Sequence, residues 1–224
     1  PCQSFSVSNV RRLAKDPRAN LPLAYAQILA QLREKYQLDF FVFENVPGLM
    51  HKPHQKSLKM FINAFEAAGF AIDITQLDAV DYNVAQFRKR MFIIGLNKDL
   101  GTGLNLNLPE RCSNQKTVRD VIGDLPEPTF YSRHIKPNDV PFHKNHWCMN
   151  PESKKFSSGA LAPGKMPLRS FRRLSWDQPS WTVAYGHREV HVHPEGRRRL
   201  SVYEAMLLQG FPEFDYVLHG TLSD

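Results

Sequence analysis

Residues 38–48 read LDFFVFENVPG. The apolar run at 40–43 is too short for a typical helix. Its odd- and even-numbered positions, which face opposite sides of a strand, are all apolar, which predicts a strand buried on both faces. Glu44 follows this run directly, and Pro47 and Gly48 end the strand. Because open α/β sheets place their ligand crevice at the carboxyl ends of strands, Glu44 is a candidate site residue. The alternative is an ordinary solvated loop carboxylate.

Amphipathic helices and further strands surround this stretch. Apolar residues at three- and four-residue steps predict a helix over 21–36 and a second one that Gly69 terminates. Alternating or wholly apolar runs predict strands at 70–74 and 91–95. The first half of the chain therefore alternates helix and strand, which is an α/β architecture. The expected inward faces comprise Tyr25, Ile28, Leu29, Leu32 and Tyr36 in the first helix, and Leu58, Phe61, Ile62 and Phe65 in the second.

The second half of the chain has a different pattern. Periodicity fades beyond Asn97 and prolines become frequent, which predicts a loop-rich second domain. We therefore expect a first domain at 1–96, a second, loop-rich domain at 97–199, and a segment at 200–224 that returns to the first domain. A helix over 201–209 is predicted from Ser201 as N-cap and Glu204 three residues later, the pattern of a capping box. We interpret this helix as scaffold.

The charge balance favours a polyanionic partner. The chain has 224 residues, and its 29 Lys and Arg against 22 Asp and Glu give a formal net charge of +7. Eight Lys and Arg against three Asp and Glu fall between Lys165 and Leu200, among them the run Arg197-Arg198-Arg199. Aromatic residues are interleaved with them, a mixture suited to phosphate and base contact. A solvated charged face and an anionic lipid surface are the alternatives.

Three cysteines are too few and too scattered for a disulfide framework, which favours a reducing compartment. Cys2 lies in a small, polar stretch typical of a loop, although a lone cysteine is more often a small buried hydrophobe. No apolar run approaches the roughly 18 residues needed for a membrane span, so we expect no membrane partner. The basic start and apolar stretch of a signal peptide are also absent from the sequence as given.

A second polar pattern precedes the strand at 91–95. Gln86, Arg88 and Arg90 alternate, so their side chains are expected to point the same way and to hold a planar polar ligand. Alternating charges on an exposed edge strand are the alternative interpretation.

Four motifs follow one another along the chain: Pro1-Cys2-Gln3, Glu44-Asn45-Val46, Gln86-Phe87-Arg88-Lys89-Arg90, and Arg198-Arg199-Leu200-Ser201 leading to Leu208-Gln209-Gly210-Phe211-Pro212. Their order resembles that of the C5-cytosine DNA methyltransferase family. Two weaker elements, at 16–21 and 179–183, also resemble family segments, and the likeness is weakest from 97 to 171, where the family places its target recognition domain.

The resemblance implies both a fold and an activity. The fold is α/β, with a partial Rossmann-like, S-adenosylmethionine-dependent catalytic methyltransferase domain at 1–96 and a smaller loop-rich, β-containing target recognition domain at 97–199 that binds DNA. The activity is transfer of a methyl group from S-adenosylmethionine to carbon 5 of a flipped-out cytosine in duplex DNA. The family likeness further implies a bacterial, cytoplasmic, monomeric enzyme of a restriction–modification system, with a cognate restriction endonuclease as partner.

The same resemblance assigns roles to individual residues. Cys2 matches the nucleophile that adds to carbon 6 of the ring, and Glu44 matches the acid at ring nitrogen 3. Arg88 and Arg90 match arginines near the flipped base, where fixed donors hold the carbonyl oxygen. Residues matched to DNA contact are Gln3, Ser4, Ser6 and Ser8 on the loop that closes over the base, and Arg172, Arg173 and Arg188 in the second domain.

Parts of the family pattern are missing from this sequence. The glycine-rich turn of the cofactor site would precede Pro1, and the closing motif would follow Asp224, so we treat the chain as a fragment and expect it to be inactive alone. Only Pro1 and Leu21 match positions that approach S-adenosylmethionine. Asn83 and Ala85 stand where the family usually shows Gly and Pro.

Three alternatives remain open. One is a non-catalytic DNA-binding accessory subunit of the same fold, and another is a related RNA cytosine methyltransferase. The third is a zinc cluster of His143, His146 and Cys148 with Cys112 upstream, although the spacing lacks a paired Cys-x-x-Cys. His187, His191 and His193 are interpreted as strand or loop histidines near phosphate.

Overall fold

The computed structural model describes residues 5, 20–101, 107–162, 164, 170–183, 190–212 and 216–219. The chain divides into two compact units. The first consists of Pro1–Asp78 and Lys89–Glu110, and the second of Ala79–Arg88 and Arg111–Asp224. This division differs from the expected boundaries at residues 96 and 199, because the first unit extends to Glu110 while the segments 79–88 and 200–224 belong to the second. As functional assignments, the expected domains stay a prediction.

The first unit has an alternating order of helices and strands. Short 3-10 turns occur at Pro47–Met50, Lys52–His54 and Lys98–Leu100. The longer elements are α1 Leu21–Lys35, β1 Phe40–Asn45, α2 Gln55–Ala67, β2 Phe70–Asp78 and β3 Lys89–Asn97.

The three strands form a sheet in the order β1-β3-β2, with both pairs antiparallel. Because β1 and β2 both oppose β3, they run parallel to each other, and α2 connects them. The register places Gly95 of β3 opposite Phe41 of β1 and opposite Ile72 of β2. A Cβ at Gly95 would collide with the Phe41 ring, so this ring occupies the space that the missing side chain leaves.

Aromatic side chains make up much of the core of this unit. The Phe41 ring centroid lies 4.9 Å from that of Phe65 and 5.0 Å from that of Phe70. Phe43 packs on Phe65, and Phe61 is fully buried. Centroid distances in this range suit tilted and edge-on packing, which adds about 0.5–1.5 kcal/mol per pair beyond area burial.

Two expectations about buried faces are wrong. Exposure alternates along β1, so that Phe40 and Val42 are exposed and only one face is covered by the described residues. In α1, the buried residues are Pro22, Ala26 and Leu29, whereas Ile28, Leu32 and Tyr36 are exposed. Apolar character alone does not determine burial, because a side chain is covered only where another element packs on it. The termination of α2 is as predicted, since Gly69 follows the helix with φ of 95°.

The second unit is loop-rich, as predicted. Its two small sheets are parallel pairs, β4 Thr129–Phe130 with β5 Trp147–Cys148, and β6 Arg172–Arg173 with β7 His191–Val192. Short 3-10 turns lie at Ala79–Tyr82 and Pro137–Asp139. Its helices are α3 Val118–Ile122, α4 Lys154–Ser157 and α5 Val202–Leu208.

Helix α5 is the centre of the second unit. All seven of its residues are buried, in agreement with a scaffold role. Its predicted capping box is confirmed: the Glu204 backbone N–H donates to Ser201 Oγ over 3.0 Å, and the Ser201 N–H donates to Glu204 Oε2 over 2.7 Å.

Asn83 adopts φ of 65°, in the left-handed region. This conformation explains why the family usually has glycine at this position, since glycine enters the region without steric cost. Asparagine is among the residues that tolerate it best, so the departure from the family pattern preserves the turn.

We expect Gly95→Ala to destabilise the protein by about 1–3 kcal/mol, because the new methyl group must displace the packed Phe41 ring. In an open strand position the same change would instead be favourable, since alanine restricts the unfolded chain more than glycine. The shift of the urea unfolding midpoint measures the effect. In a Phe41→Leu background the cost of Gly95→Ala should shrink, and an unchanged cost would contradict the collision.

Candidate functional site

Glu44 and Arg90 form an ion pair on one face of the sheet in the first unit. Glu44 lies near the carboxyl end of β1 opposite Phe92, and Arg90 lies two residues before Phe92 on the same face of β3. Arg90 Nε is 2.7 Å from Glu44 Oε1. The Glu44 side chain keeps 47% of its exposure and that of Arg90 20%. The pair is thus ordered and still accessible to a ligand.

Asn45 is a site residue to which the sequence analysis assigned no role. It is fully buried, on the opposite face of β1 from Glu44. Its Oδ1 accepts a hydrogen bond from the Val46 backbone N–H over 2.8 Å, which fixes the turn that follows the strand. Its Nδ2 has no partner among the described residues. The signal available in the sequence was a polar residue directly after Glu44.

The segment around Gln86 belongs to the second unit and is held by residues near Ser180. Gln86 and Ser180 form a parallel bridge, with Phe87 N–H donating to the Ser180 carbonyl over 2.8 Å. Thr182 Oγ1 donates to the Phe87 carbonyl over 2.8 Å. Gln86 is fully buried, and neither atom of its amide has a partner within the described part of the chain. The structure therefore does not place Gln86, Arg88 and Arg90 on one strand, because β3 begins at Lys89.

Apart from Arg172 and Arg173, two of the remaining predicted site residues, Leu21 and Arg88, are described by the structure, and the others lie outside the described residues. Leu21, the one predicted cofactor contact that is described, begins α1 with an exposed side chain. Arg88 is half-buried in the second unit, and its carbonyl accepts a hydrogen bond from Ala79 N–H over 3.2 Å. The predictions that fall outside the described residues concern Pro1, Cys2, Gln3, Ser4, Ser6, Ser8 and Arg188.

The two described cysteines differ in environment. Cys148 is buried, and burial raises the pKa of its thiol to about 12. Because the thiolate is the nucleophile, such a thiol is unreactive at neutral pH. Cys112 is exposed.

The arginines of the second unit divide into structural and exposed groups. Arg173, predicted to contact DNA, donates from Nη1 to the Pro194 carbonyl over 3.0 Å and is half-buried. Arg198 is buried against Glu204, with both guanidinium Nη atoms 2.9 Å from its carboxylate oxygens. By contrast, Arg172 is exposed, and its guanidinium lies 5.9 Å from the centroid of the Trp181 ring.

The buried Arg198–Glu204 pair sets the protonation of its neighbours. Burial raises the pKa of Glu204, but the hydrogen bonds and charge of Arg198 outweigh it and hold that pKa below its ordinary value. The pKa of His193 is lowered, chiefly by burial and secondarily by the positive charge of Arg198. His193 Nδ1 accepts a hydrogen bond from the Glu195 N–H over 3.4 Å, as expected for a neutral ring.

The histidines of the suggested zinc cluster have protein partners. His146 Nδ1 lies 3.0 Å from Ser201 Oγ, and its Nε2 lies 2.7 Å from the Pro126 carbonyl oxygen. His143 Nδ1 accepts a hydrogen bond from the Asn145 N–H over 3.1 Å. Among the residues that the structure describes, no group of three His, Cys, Asp or Glu side chains is placed to hold a metal ion. In the same residues, no helix is long and apolar enough to cross a membrane.

Comparison with known proteins gives a consistent result. The family model of the C-5 cytosine-specific DNA methylases matches residues 1–224. A type II methyltransferase of Methanothermobacter thermautotrophicus, M.MthTI, is 33% identical over 98% of this chain and 68% of its own length. M.FnuDI, a type II methyltransferase of Fusobacterium nucleatum, is 30% identical over 100% of this chain and 68% of its own length.

Solved structures agree at the level of the fold. A DNA modification methyltransferase encoded within an E. coli prophage matches with a TM-score of 0.71 and 22% identity, over 96% of this chain and 67% of that one. The methyltransferase EhMeth of Entamoeba histolytica matches with a TM-score of 0.54 and 13% identity, over 97% of this chain and 67% of that one.

The alternating helices and strands of the first unit and the solved neighbours agree with a partial Rossmann-like α/β fold. The chain belongs to the family of C-5 cytosine-specific DNA methylases, enzymes that methylate DNA. The predicted fold class and family are therefore confirmed.

We expect the free energy of unfolding to fall as the pH drops below about 6.5, the ordinary histidine pKa. His193 has a lowered pKa in the folded protein, so the unfolded chain binds more protons and the stabilisation is lost as the pH falls towards the folded value. Urea unfolding at pH 7.5 and 5.5 measures this loss. His193→Gln should reduce it, whereas replacement of the exposed His134 by Gln should leave it as in the wild type. Equal losses in all three proteins would contradict the assignment.

Proposed function

We propose that this protein transfers a methyl group to carbon 5 of a cytosine flipped out of duplex DNA, through a covalent adduct with Cys2. The observation that carries the proposal is the Glu44–Arg90 ion pair at the carboxyl end of β1, in a chain of the cytosine-5 methylase family. An acid beside a fixed guanidinium is suited to hold and protonate a planar heterocycle.

Cytosine carbon 5 is a poor nucleophile until something adds to carbon 6. A thiolate is suited to this addition, because it attacks the ring and is later released when the carbon 5 proton is lost. The environment of Cys148 supports the choice of another cysteine, since its thiol is buried and its pKa is raised to about 12. The family resemblance of Pro1-Cys2-Gln3, and not the exposure of a thiol, is the reason that we assign the nucleophile to Cys2 instead of the exposed Cys112.

Glu44 and Arg90 act on the polar edge of the base. A carboxylate accepts hydrogen bonds and cannot donate one, so donation to ring nitrogen 3 requires the protonated form of the Glu44 carboxyl. Arg90 orients this carboxylate and presents N–H donors to the neighbouring carbonyl oxygen. Arg88 is proposed as a second donor.

S-adenosylmethionine is the proposed methyl donor, and it supplies the electrophilic methyl group when bound. Leu21 fits such a ligand in one respect, since its exposed apolar side chain at the start of α1 can pack against the face of an adenine ring. We propose Leu21 and Pro1 as cofactor contacts.

Duplex DNA is the proposed substrate, because a base stacked in a helix is inaccessible to attack on its ring face. The net charge of +7 favours this polyanion. We assign target recognition to residues 97–199, with Arg172 and Arg188 as DNA contacts. Arg173 was predicted in the same role, but its hydrogen bond to Pro194 favours a structural one. Gln3, Ser4, Ser6 and Ser8 are proposed to contact the flipped base and its flanks.

The setting proposed for the protein follows its relatives. M.MthTI and M.FnuDI are named as type II methyltransferases, which supports a restriction–modification enzyme. A bacterial source is proposed from relatives such as M.FnuDI of Fusobacterium nucleatum. We propose that it acts as a monomer in the cytoplasm beside a cognate restriction endonuclease.

We expect the intact protein, given labelled S-adenosylmethionine and duplex DNA containing 5-fluorocytosine, to accumulate a covalent complex. Fluorine replaces the carbon 5 proton and cannot leave as a cation, so the thiol cannot be eliminated from carbon 6. Cys2→Ser should abolish the complex on a denaturing gel, and Cys112→Ser, which changes an exposed cysteine, should leave it intact.

Trapping by Cys2→Ser at the level of the wild type would show that the nucleophile is another residue. Methylation of tRNA with none of duplex DNA would favour the RNA enzyme. Strong duplex binding with no trapping under any condition would favour the accessory subunit.

Glu44→Gln should lower kcat by about 10²–10⁴-fold, the usual contribution of a general acid. The amide keeps the shape of the carboxylate but cannot deliver its proton, so the affinity for DNA should change little. Single-turnover rates and equilibrium binding separate the two effects. A loss confined to binding would contradict the acid role.

A further inference from the structure

Phe5 is the residue before Asn20 whose placement the structure describes, and it is buried in the core of the first unit. Its side chain keeps only 3% of its exposure. The Phe5 ring lies edge-on to two others, with its centroid 5.2 Å from that of His54 and 6.0 Å from that of Phe61. We call these three rings the Phe5 anchor.

The two partner rings belong to elements that are themselves well packed. His54 ends a 3-10 turn, and Phe61 is fully buried on α2, which begins directly after that turn. Full burial of a phenylalanine side chain favours its docked position over an exposed one by about 10–150-fold. The anchor therefore holds Phe5 in one place for nearly all of the time.

The same core supports the two strands that carry the candidate acid and its arginine. The buried cluster that contains Phe5 also contains Leu49, in the turn after β1, and Met91, which directly follows Arg90 on β3. Glu44 precedes that turn on β1. Phe5 is thus fixed to the part of the first unit that positions the Glu44–Arg90 ion pair.

The burial of Phe5 limits where Cys2 can lie. Three peptide bonds join the two residues. Because an extended chain spans at most about 3.6 Å per residue, their Cα atoms lie within about 11 Å of each other by any path. From Asn20, the next described residue, the same rule allows about 65 Å, which is more than the roughly 35 Å diameter of a 100-residue domain. Of these two limits, only the one from Phe5 restricts Cys2.

A limit on position matters for a nucleophile. Attack requires the reacting atoms to be about 3–3.5 Å apart, and a misplacement of about 1 Å can lower the rate by about 100-fold. Phe5 has no polar group, so it supplies neither a proton nor a hydrogen bond to the reaction. Its influence on the rate can act only through the placement of other residues.

We propose that Phe5 is a positioning residue for methyl transfer, because its docking against His54 and Phe61 limits how far Cys2 can lie from the Glu44–Arg90 pair. The proposal rests on the proposed function, in which Cys2 is the nucleophile. Loss of the ring leaves the thiol and the acid chemically intact and enlarges the space in which the thiol must find the base.

The test measures the rate at which the intact protein forms the covalent adduct with a saturating 5-fluorocytosine duplex and S-adenosylmethionine, together with the Kd for the duplex. Phe5→Ala should slow adduct formation by about 10–100-fold and should change the Kd by less than about twofold. Phe5→Leu, which fills most of the same space, should recover most of the rate. Phe5→Val replaces Phe5→Ala if the latter does not fold, and it should slow the reaction to an intermediate extent.

Phe65→Leu is the matched control, at a fully buried ring of the same core. It should lower the urea unfolding midpoint and leave the rate of adduct formation near that of the wild type. An equal loss of rate in Phe65→Leu would reduce the effect to stability and overturn the proposal, as would a loss in Phe5→Ala confined to the Kd.

Two further outcomes separate this proposal from the proposed function. If the wild type forms the adduct through Cys2 and Phe5→Ala forms it equally fast, the positioning role alone is wrong. If the wild type forms no adduct through Cys2, the proposed function fails and the positioning role fails with it.

Discussion

The contact between Phe41 and Gly95 is the constraint on which the first unit depends. The ring fills the space above a glycine on the central strand, and this fit sets the register of β1 against β3. A slip of one residue would turn every side chain of β1 to the opposite face. Glu44 would then leave the face that carries Arg90, so apolar packing on one side of the sheet maintains the polar pair on the other.

In the second unit, the buried Arg198–Glu204 pair is a comparable constraint. Removing both charges from water is costly. The pair recovers that cost through its paired hydrogen bonds, through the Glu127 carboxylate that accepts from Arg198 Nε, and through the contact of Glu204 with Ser201. Loss of one partner from such a pair typically costs about 3–5 kcal/mol, because the other is left buried and uncompensated. The same carboxylate thus caps α5 and neutralises an internal arginine.

Local signals in the sequence predicted the elements that depend on local chemistry. The capping box at Ser201, the terminator at Gly69 and the strand at 40–45 all follow from a few adjacent residues. Burial was harder to predict, since the exposure of one face of β1 and the inward turn of Arg198 depend on distant segments. Of the candidate site, the sequence predicted Glu44 and Arg90, whereas the role of Asn45 required the hydrogen bonds of the folded chain.

The run of three arginines at 197–199 illustrates why charge counts mislead about partners. Consecutive residues of an extended segment point in opposite directions, so Arg198 enters the core while Arg199 reaches the Phe171 ring. The inward arginine is paired and contributes nothing to a polyanion, yet its bonds hold the backbone that presents the outward one. The buried Arg198–Glu204 pair and the half-buried Arg199 are therefore coupled through one short piece of backbone. Affinity for an anionic partner depends on how many cations the fold leaves outside, which is fewer than the composition suggests.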